Sequence, residues 1–362
     1  MRIFLKFVFV IIWTVIMTTL LYYFDYKRLP TLYYNIKSWL RDMNSNHSFH
    51  LELTTVSDRG VWNNEWLRKY LQNAQEESES DCSAPFLTVG DGGRLGNIIC
   101  QFITAYTFKM KYGIRVAILS ERRRKTLKRL FGSLPSPTLP NPCFNGSKKG
   151  FLKLKYYDMD QLFSLRKNMT SNQLIENPYH YHITGYPCPL LPDFIKYRAQ
   201  ILKILPFRQD LILKAKKKIQ ISLESLRLSM SKVELVSVHV RRIDYIKYGE
   251  SYNLTHPMRN YYIKAFNFFR KRCKAPVFVV ISDEHSWPKK HLNFPDVIFP
   301  GDGDILHPVT DFAIIVSCDH HIYGVGTYGK TSAYLGYGSI IRFKTKTLPY
   351  SHEERFSAFQ LF

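Results

Sequence analysis

The chain has 362 residues, of which 45% are hydrophobic, and this excludes a mostly unfolded chain and allows two domains of ordinary size. Lys and Arg number 51 against 29 Asp and Glu, so the formal net charge is +22. This balance favours anionic partners: nucleic acid, an acidic membrane surface or a phosphorylated small molecule. Charge alone does not choose among these three.

Residues 7–24 form an apolar segment without a charged side chain. At about 1.5 Å per residue, the segment comes close to crossing a hydrocarbon core of roughly 30 Å. A cleaved signal peptide has a shorter apolar region and small residues before the cleavage site, whereas this segment ends in LLYYF. We therefore predict a transmembrane signal anchor at 7–24 behind a cytoplasmic tail at 1–6.

The chain after the anchor has the features of a secretory lumen. Four N-x-[ST] sequons are predicted glycosylation sites: Asn46, Asn145, Asn168 and Asn253. All six cysteines also follow the anchor, and an even number suits an oxidising compartment. The sequence does not determine their pairing, and Cys100, inside an apolar helical pattern, also fits a buried thiol. We predict a single-pass type II membrane protein with a luminal domain, which argues against nucleic acid as the partner.

Residues 25–84 are polar and end in AQEESESD, which is typical of a stem. Trp62, Trp66 and Tyr70 interrupt this composition at a spacing of four, which predicts one short helix that packs or self-associates. Homo-oligomerisation through the stem or the membrane segment is the form of assembly that this pattern suggests.

A first α/β domain is predicted at residues 85–232. A short apolar strand (APFLTV) is followed by a glycine turn (GDGGRLGN), a helix that stops at Gly113 and a second strand (IRVAIL). Residues 134–206 are irregular in pattern and are expected to decorate this domain. The basic runs ERRRKTLKR (residues 121–129) and KAKKKIQ are expected to be solvated helix faces, the second on an amphipathic helix from about Gln209 to Met230.

A second α/β domain is predicted at residues 233–362, where strand and helix patterns alternate. The predicted strands are ELVSVHV, PVFVVIS, DVIFPG, HHIYGVG and SIIRF. Their apolar runs are continuous, as in parallel strands buried on both faces. Two such halves predict two nucleotide-fold domains facing a cleft, with ligands bound beyond the carboxyl ends of the strands.

The stretch VSVHVRRIDYIKYG places His239, Arg241, Arg242 and Asp244 where a central strand ends. Arginine keeps its proton, so a partly desolvated guanidinium needs an anion beside it. That anion is either an internal carboxylate, such as Asp244, or a ligand phosphate. Since side chains alternate along a strand, Arg241 should share a face with His239, and Arg242 should point to the other face, where a carboxylate must satisfy it.

A second glycine turn, GVGTYG at residues 324–329, also leaves a strand and opens a helix. Backbone N–H groups at a helix N-terminus bind phosphate oxygens, and Thr327 can add a hydroxyl. A diphosphate between Arg241 and this turn would explain both features, whereas a plain turn between strand and helix explains GVGTYG alone.

Five segments occur in order between about Phe86 and Tyr350: GRLGN, VHVRRIDY, VFVVISDEHSW, PGDGD and DFAIIVSCDHHIYGVGTYGKTSAYL. Together they resemble the α-1,2-fucosyltransferases that use GDP-fucose. The resemblance implies a GT-B fold of two Rossmann-like domains, preceded by the transmembrane helix and stem, in the Golgi membrane. It further implies inverting transfer of L-fucose to a hydroxyl, O2 of a galactose, on a glycoprotein or glycolipid glycan.

The resemblance also implies residue roles. Arg241 would grip the donor pyrophosphate with Arg242 beside it, and His239 would contact guanine. The other implied donor-binding residues are Asp311, Thr327, Tyr328, Gly329, Arg94 and Asn97. The chain departs from the family pattern at Ile98, Ile243 and Thr331, which affects the acceptor more than the donor.

Glycosyl transfer has an oxocarbenium-like transition state, in which negative charge grows on the leaving oxygen. A guanidinium at Arg241 would stabilise that charge, so no metal and no other cofactor is expected. Two DxD strings, Asp158-Met-Asp160 and Asp302-Gly-Asp304, follow no clear strand and are expected to be loop residues. Asp244 is a candidate general base, although two adjacent arginines should lower its pKa and favour an ion-pair role.

Two alternatives remain open at this stage. One is a catalytically inactive, membrane-anchored relative that binds glycans, and the other is a fucosyltransferase that forms a different linkage. Retention of His239, Arg241 and Asp311 argues against the inactive relative.

Overall fold

A computed structural model describes residues 51–56, 86–90, 92–112, 114–118, 121–134, 152–155, 180–184, 188, 194–251, 255–303 and 308–343. The predicted anchor, most of the predicted stem, including its Trp62–Tyr70 helix, and all four sequons lie outside these ranges. None of the helices in these ranges combines the length and the hydropathy of a transmembrane span. The described elements belong to one compact unit, His50–Phe362.

The first sheet has four parallel strands in the order β3-β2-β5-β4. Its strands are β2 (Phe86–Val89), β3 (Arg115–Val116), β4 (Leu152–Lys155) and β5 (Tyr181–Thr184). The predicted β–loop–α–β unit is confirmed, since helix α1 (Leu95–Tyr112) joins β2 to β3 and ends just before Gly113. The prediction that residues 134–206 are irregular is wrong for β4 and β5, whose four-residue length is too short to give a clear periodic signal.

The other helices of this half are α2 (Glu121–Lys128), α3 (Arg198–Ile204) and α4 (Gln209–Glu224), with 3₁₀ turns at Ile195–Tyr197 and Met230–Lys232. Helix α4 is amphipathic as predicted, but it ends six residues before Met230. Arg227 has a φ of +56°, and the N–H of Leu228 donates to the carbonyl of Leu223 at 3.0 Å. This is a left-handed helix end in which arginine replaces the usual glycine, so no residue at this position signals the end of the helix.

The second sheet has six strands in the order β1-β10-β9-β6-β7-β8. Its strands are β1 (Leu51–Val56), β6 (Glu234–Val240), β7 (Pro276–Ser282), β8 (Val297–Ile298), β9 (His320–Tyr323) and β10 (Gly338–Phe343). The five later strands are parallel, as predicted. Strand β1 pairs antiparallel with β10, so these six residues of the predicted stem segment belong to the folded sheet.

The helices of this half are α5 (Ile243–Ser251), α6 (Arg259–Arg272), α7 (Ser286–His291), α8 (Val309–Val316) and α9 (Thr327–Leu335). Helices α5 and α7 were not predicted. One face of β7 packs on α6, where the ring of Phe266 stacks on Phe278 at 4.0 Å between centroids. The residues alternating with Phe278 on β7 join a core cluster with Phe312 and Ile315 of α8. Both faces are therefore buried, which explains the continuous apolar runs.

Counted from β6, the parallel strands follow the order 3-2-1-4-5, with β6 and β9 as neighbours at the centre. The strand order reverses between these two strands, and in such sheets ligands bind outside the carboxyl ends at that switch point. Strand β6 leads into Arg241 and β9 leads into the turn before Thr327. Both predicted phosphate-binding stretches therefore leave the sheet at the same place.

A disulfide joins Cys100 of α1 to Cys188, just beyond β5. The interpretation of Cys100 as a buried thiol is therefore wrong. Among the described residues, Cys273 and Cys318 are buried free thiols, while Cys82 and Cys143 lie outside the described ranges.

Candidate anion site at the sheet switch point

Arg241 and Asp244 form a close ion pair at the carboxyl end of β6. The Nη2 of Arg241 donates to both carboxylate oxygens at 3.1 and 2.8 Å, and its Nε donates at 3.2 Å. The third nitrogen, Nη1, lies on the side of the glycine turn before α9: a Cβ added to Gly326 would be 3.4 Å from it. Asp244 therefore fixes the guanidinium plane while Nη1 faces the predicted phosphate-binding turn.

Two residues of the first half reach this edge of the second sheet: Arg94 meets the ion pair, and Asn97 meets the turn before α9. Nη1 of Arg94 is 3.0 Å from Oδ2 of Asp244, and Asn97 accepts a hydrogen bond from the hydroxyl of Thr327. The side chain of Arg94 is 74% exposed, so its charge faces the solvent at this edge. We call Arg94, Asn97, Arg241, Asp244 and Thr327 the cleft cluster.

Glycines allow the close approach on which the cleft cluster depends. A Cβ on Gly96 would lie 2.5 Å from both Cα and N of Tyr328, so the first turns of α1 and α9 touch through their backbones. Gly326 precedes α9 with a φ of +89°, a conformation that favours glycine. The N-termini of α1 and α9, with their unpaired N–H groups and positive dipole ends, thus meet beside Arg241.

Arg242 points away from the cleft cluster, as strand alternation predicts. Its Nε donates to Glu284 at 3.0 Å, and its guanidinium lies 4.3 Å from the ring centroid of Trp287. Its backbone N–H donates to Asp283 at 2.9 Å. Glu284 is thus the carboxylate that strand alternation predicts for Arg242. The resemblance implied that Arg242 lies beside the donor pyrophosphate, and none of these contacts is with the cleft cluster.

Of the two predicted guanine-contacting residues, His239 lies beside Tyr328, and Asp311 lies beside the glycine loop at residues 301–303. The His239 ring is 5.2 Å from the Tyr328 ring, and a Cβ on Gly329 would be 2.3 Å from its Nδ1. Asp311 is buried and accepts the N–H of Asp302 at 3.1 Å, which holds the glycine loop at residues 301–303. Burial raises the pKa of Asp311, more than this hydrogen bond lowers it.

The cleft cluster keeps Asp244 ionised. Burial alone would raise the pKa of Asp244, but the hydrogen bonds and charge of Arg241, together with the charge of Arg94, outweigh it and lower the pKa. A carboxylate so held accepts a proton poorly near neutral pH, so the geometry favours an ion-pair role over a general-base role.

Two buried histidines predict an acid sensitivity of folding. Burial, followed by neighbouring positive charge, lowers the pKa of His239 and of His321 to about 3, whereas an unfolded histidine titrates near 6.5. Below pH 6.5 the unfolded chain binds protons that the folded chain does not, so this stability is present above pH 6.5 and is lost as the pH falls. We expect the Tm to fall steadily between pH 7 and pH 5.

The same Tm measurements on variants show whether the buried histidines cause the pH dependence. His321→Gln should make the Tm less dependent on pH in this interval, although it also loses the 2.7 Å contact with Ser237. Ser237→Ala removes the same contact but keeps the buried imidazole, so it is the control and should keep the pH dependence of the wild type. An unaltered dependence in His321→Gln would refute this origin.

Arg123 was expected on a solvated helix face, and this expectation is wrong: its side chain is 1% exposed. Its guanidinium donates to the carbonyl of Val89 at 3.2 Å, to the carbonyl of Gly90, and to the side chain of Gln101 at 2.7 Å. It thereby ties the end of β2 to α1, immediately around the turn that carries Arg94. The burial of Arg123 could not be predicted, because every side chain of the run ERRRK is charged and nothing in the run distinguishes Arg123 from its neighbours.

Arg123→Met should destabilise the protein, because the side chain keeps its length but the carbonyls of β2 lose their donors. The expected loss is about 1–3 kcal/mol of unfolding free energy, measured by urea denaturation. Arg122→Met removes an exposed charge from the same helix and is the matched control. Equal stabilities for the two variants would contradict the assigned role.

One grouping among the described residues has metal-ligand chemistry: Glu234, Cys273 and His320. Glu234 begins β6, at the opposite end of the strand from the cleft cluster. The Nδ1 of His320 accepts the N–H of Ser339 at 3.0 Å, so the neutral ring carries its proton on Nε2, which faces Glu234 at 3.7 Å. Burial, then the charge of Glu234, raises the pKa of Cys273 to about 11. Because the Nδ1 lone pair of His320 is taken by Ser339 and its Nε2 proton faces Glu234, the imidazole in this arrangement offers no free lone pair to a metal ion.

The DxD strings are only partly described. Asp302 pairs with Lys218 of α4, and its N–H binds Asp311. Asp304, Asp158 and Asp160 lie outside the described residues.

The fold and the cleft cluster together define an α/β protein with a candidate anion-binding edge at the switch point of a parallel sheet. The sequence profile of glycosyl transferase family 11 matches residues 153–360. Galactoside α-(1,2)-fucosyltransferase 2 of Sus scrofa is 28% identical over 305 residues, covering 83% of this chain and 84% of the pig protein. Galactoside 2-α-L-fucosyltransferase SEC1 of Bos taurus is 30% identical over 267 residues, covering 72% and 67%.

Among solved structures, fucosyltransferase NodZ from Bradyrhizobium aligns with a TM-score of 0.41 at 10% identity, over 74% of this chain and 99% of NodZ. The sequence matches establish the family. The chain belongs to glycosyl transferase family 11 and is a glycosyltransferase, a divergent relative of the galactoside α-(1,2)-fucosyltransferases.

Proposed function

We propose that this glycosyltransferase moves L-fucose from GDP-fucose to O2 of a galactose on a glycoprotein or glycolipid glycan, with inversion at the anomeric carbon. The observation that carries the proposal is the cleft cluster: Arg241 presents Nη1 to the turn before α9, with Arg94 beside it. The names of the pig and cattle relatives support the donor sugar and the linkage. We assign the two sheets to the two halves of a GT-B fold, with the donor on the second.

In this mechanism the bond between fucose C1 and the diphosphate oxygen breaks while charge grows on the diphosphate. Arg241 and the N–H groups opening α9 stabilise that charge in a partly desolvated site, and Thr327 adds a hydroxyl. Asp244 holds the guanidinium in place. The acceptor oxygen bonds to C1 as the bond to the diphosphate breaks, and its proton passes to water or to the departing diphosphate, so a strong base is not needed when bond breaking runs ahead of attack.

We propose that no metal takes part, because fixed guanidinium groups occupy the place where a DxD-bound cation would act. The residues implied for guanine, His239 and Asp311, complete the donor site in this proposal. An inactive glycan-binding relative is the alternative, and a fucosyltransferase of another linkage is a second one.

The test uses the full-length protein in detergent. It should transfer radiolabelled fucose from GDP-fucose to galactose-terminated glycans and retain most of its activity in EDTA. NMR of the product should show an α-L-fucosyl group on O2. Transfer only from a UDP-sugar would overturn the donor assignment, and loss of activity in EDTA with rescue by manganese would overturn the metal assignment.

We further propose a type II arrangement in the Golgi membrane with the described unit in the lumen. The Cys100–Cys188 disulfide supports an oxidising compartment, and the apolar segment at 7–24 supports an anchor. In sealed microsomes, added protease should leave nearly the whole chain intact, and a glycosidase should increase its mobility after lysis. Complete digestion in sealed microsomes would contradict this topology.

A further inference from the structure

Helix α5 carries an exposed tyrosine one helical turn beyond the cleft cluster. Tyr248 follows Asp244 by four residues, so both lie on one side of the helix, with Cβ atoms about 5–6 Å apart. The tyrosine is 46% exposed, while Asp244 binds Arg241 and Arg94. An aromatic surface therefore lies directly beside the proposed reaction centre.

The aromatic surface is also connected to the arginine that we place at the diphosphate. The guanidinium of Arg241 lies 5.1 Å from the ring centroid of Tyr245, and this ring is 5.2 Å from that of Tyr248. Tyr245 therefore lies between the Arg241 guanidinium and the exposed ring of Tyr248. Ile243, 51% exposed, begins the same helix on the other side of Asp244.

Exposure of single apolar side chains is ordinary, so exposure by itself indicates nothing. Tyr248 differs from most other exposed apolar side chains because it lies next to the cleft cluster. The acceptor hydroxyl must reach the donor carbon next to the diphosphate, and the cleft cluster fixes where that is. A group that binds the acceptor sugar has to lie near this point, and the Tyr248 ring is only one aromatic ring farther from Arg241 than Tyr245 is.

Resting on the proposed function, we propose that Tyr248 is a stacking platform for the terminal pyranose of the acceptor. One face of a galactose ring presents several C–H groups and forms an apolar patch that packs on an aromatic ring. The negative face of the tyrosine ring suits these partly positive C–H groups. A galactose stacked there directs a ring hydroxyl toward Asp244, and the flanking Ile243 restricts how the sugar can be turned.

The test measures binding of the acceptor without the donor. N-acetyllactosamine is titrated into the full-length protein in detergent, and its Kd is measured by saturation-transfer NMR. Tyr248→Ala should weaken binding about tenfold, because the stacking surface is lost. Tyr248→Phe keeps the ring and should bind as the wild type does. Leu213→Ala, at a 58% exposed apolar residue on α4, is the control, and its binding should also be unchanged.

The outcomes separate this proposal from the proposed function. Unchanged binding in Tyr248→Ala, or weakened binding in Tyr248→Phe equal to that of Tyr248→Ala, would overturn the stacking role. A parallel titration with GDP-fucose should give the same Kd for wild type and Tyr248→Ala. Failure of the wild type to bind GDP-fucose would refute the donor assignment, while the galactoside titration would still decide the role of Tyr248.

Discussion

Arg241→Lys should lower the turnover number by about 10² or more while the protein stays folded. Lysine keeps the positive charge but has no planar fork, so it cannot bind Asp244 through two nitrogens and present a third to the turn before α9. Charge growing on the leaving diphosphate would then lack a fixed donor. The measurement is kcat for fucose transfer at saturating donor and acceptor.

Arg242→Lys is the matched control, because it changes the adjacent residue in the same way. Arg242 contacts Glu284 and Trp287 and not the cleft cluster. Its replacement should cost less in kcat and more in thermal stability than the change at Arg241. A turnover number near that of the wild type for Arg241→Lys would overturn the assignment of this residue.

Gly96→Ala should reduce both stability and activity, because the added methyl group collides with backbone atoms that cannot move aside. The new Cβ would lie 2.5 Å from N and Cα of Tyr328, so the first turns of α1 and α9 would have to separate. Separation also stretches the bonds from Thr327 to Asn97 and from Thr331 to the carbonyl of Gly96. Overpacking of this kind costs about 1–3 kcal/mol of unfolding free energy, measured in urea. We expect kcat to fall as well, since the cleft cluster is built across this contact.

Gly132→Ala is the control for the loss of a glycine as such. A Cβ at Gly132 would have Pro206 O as its nearest neighbour at 3.8 Å, an ordinary contact. This variant should be as stable and as active as the wild type. If Gly96→Ala behaves in the same way, the two helix ends are not in the close contact described above.

The sequence was most informative where a single local pattern decided the structure. Continuous apolar runs located the parallel strands β6 and β7, and strand alternation placed Arg241 and Arg242 on opposite sides. The glycine turn before Thr327 was recognised because GVGTYG leaves one predicted strand and opens a predicted helix, and Gly326 has a φ of +89° there. The family resemblance that these segments carry is confirmed by the sequence matches.

Features that depend on distant contacts could not be predicted. Arg123 is buried because the carbonyls at the end of β2 and Gln101 lie around it, and nothing in the run ERRRK signals this. Gly96 was recognised only as part of the GRLGN motif. Its close packing could not be predicted, because it contacts Tyr328, a residue 232 positions away in the sequence. Strands β4 and β5 are too short to show a periodic pattern. The disulfide of Cys100 could not be predicted, because its partner Cys188 is distant in the sequence and comes close only in the fold.

A crystal structure of the protein with GDP bound tests the central claim most directly. The account predicts diphosphate oxygens within hydrogen-bond distance of Nη1 of Arg241 and of the backbone N–H groups that open α9, with Asp244 still paired to Arg241. Guanine should lie on the side of His239 and Asp311. A diphosphate bound away from both Arg241 and α9, or held by a metal on Asp302, would contradict the account.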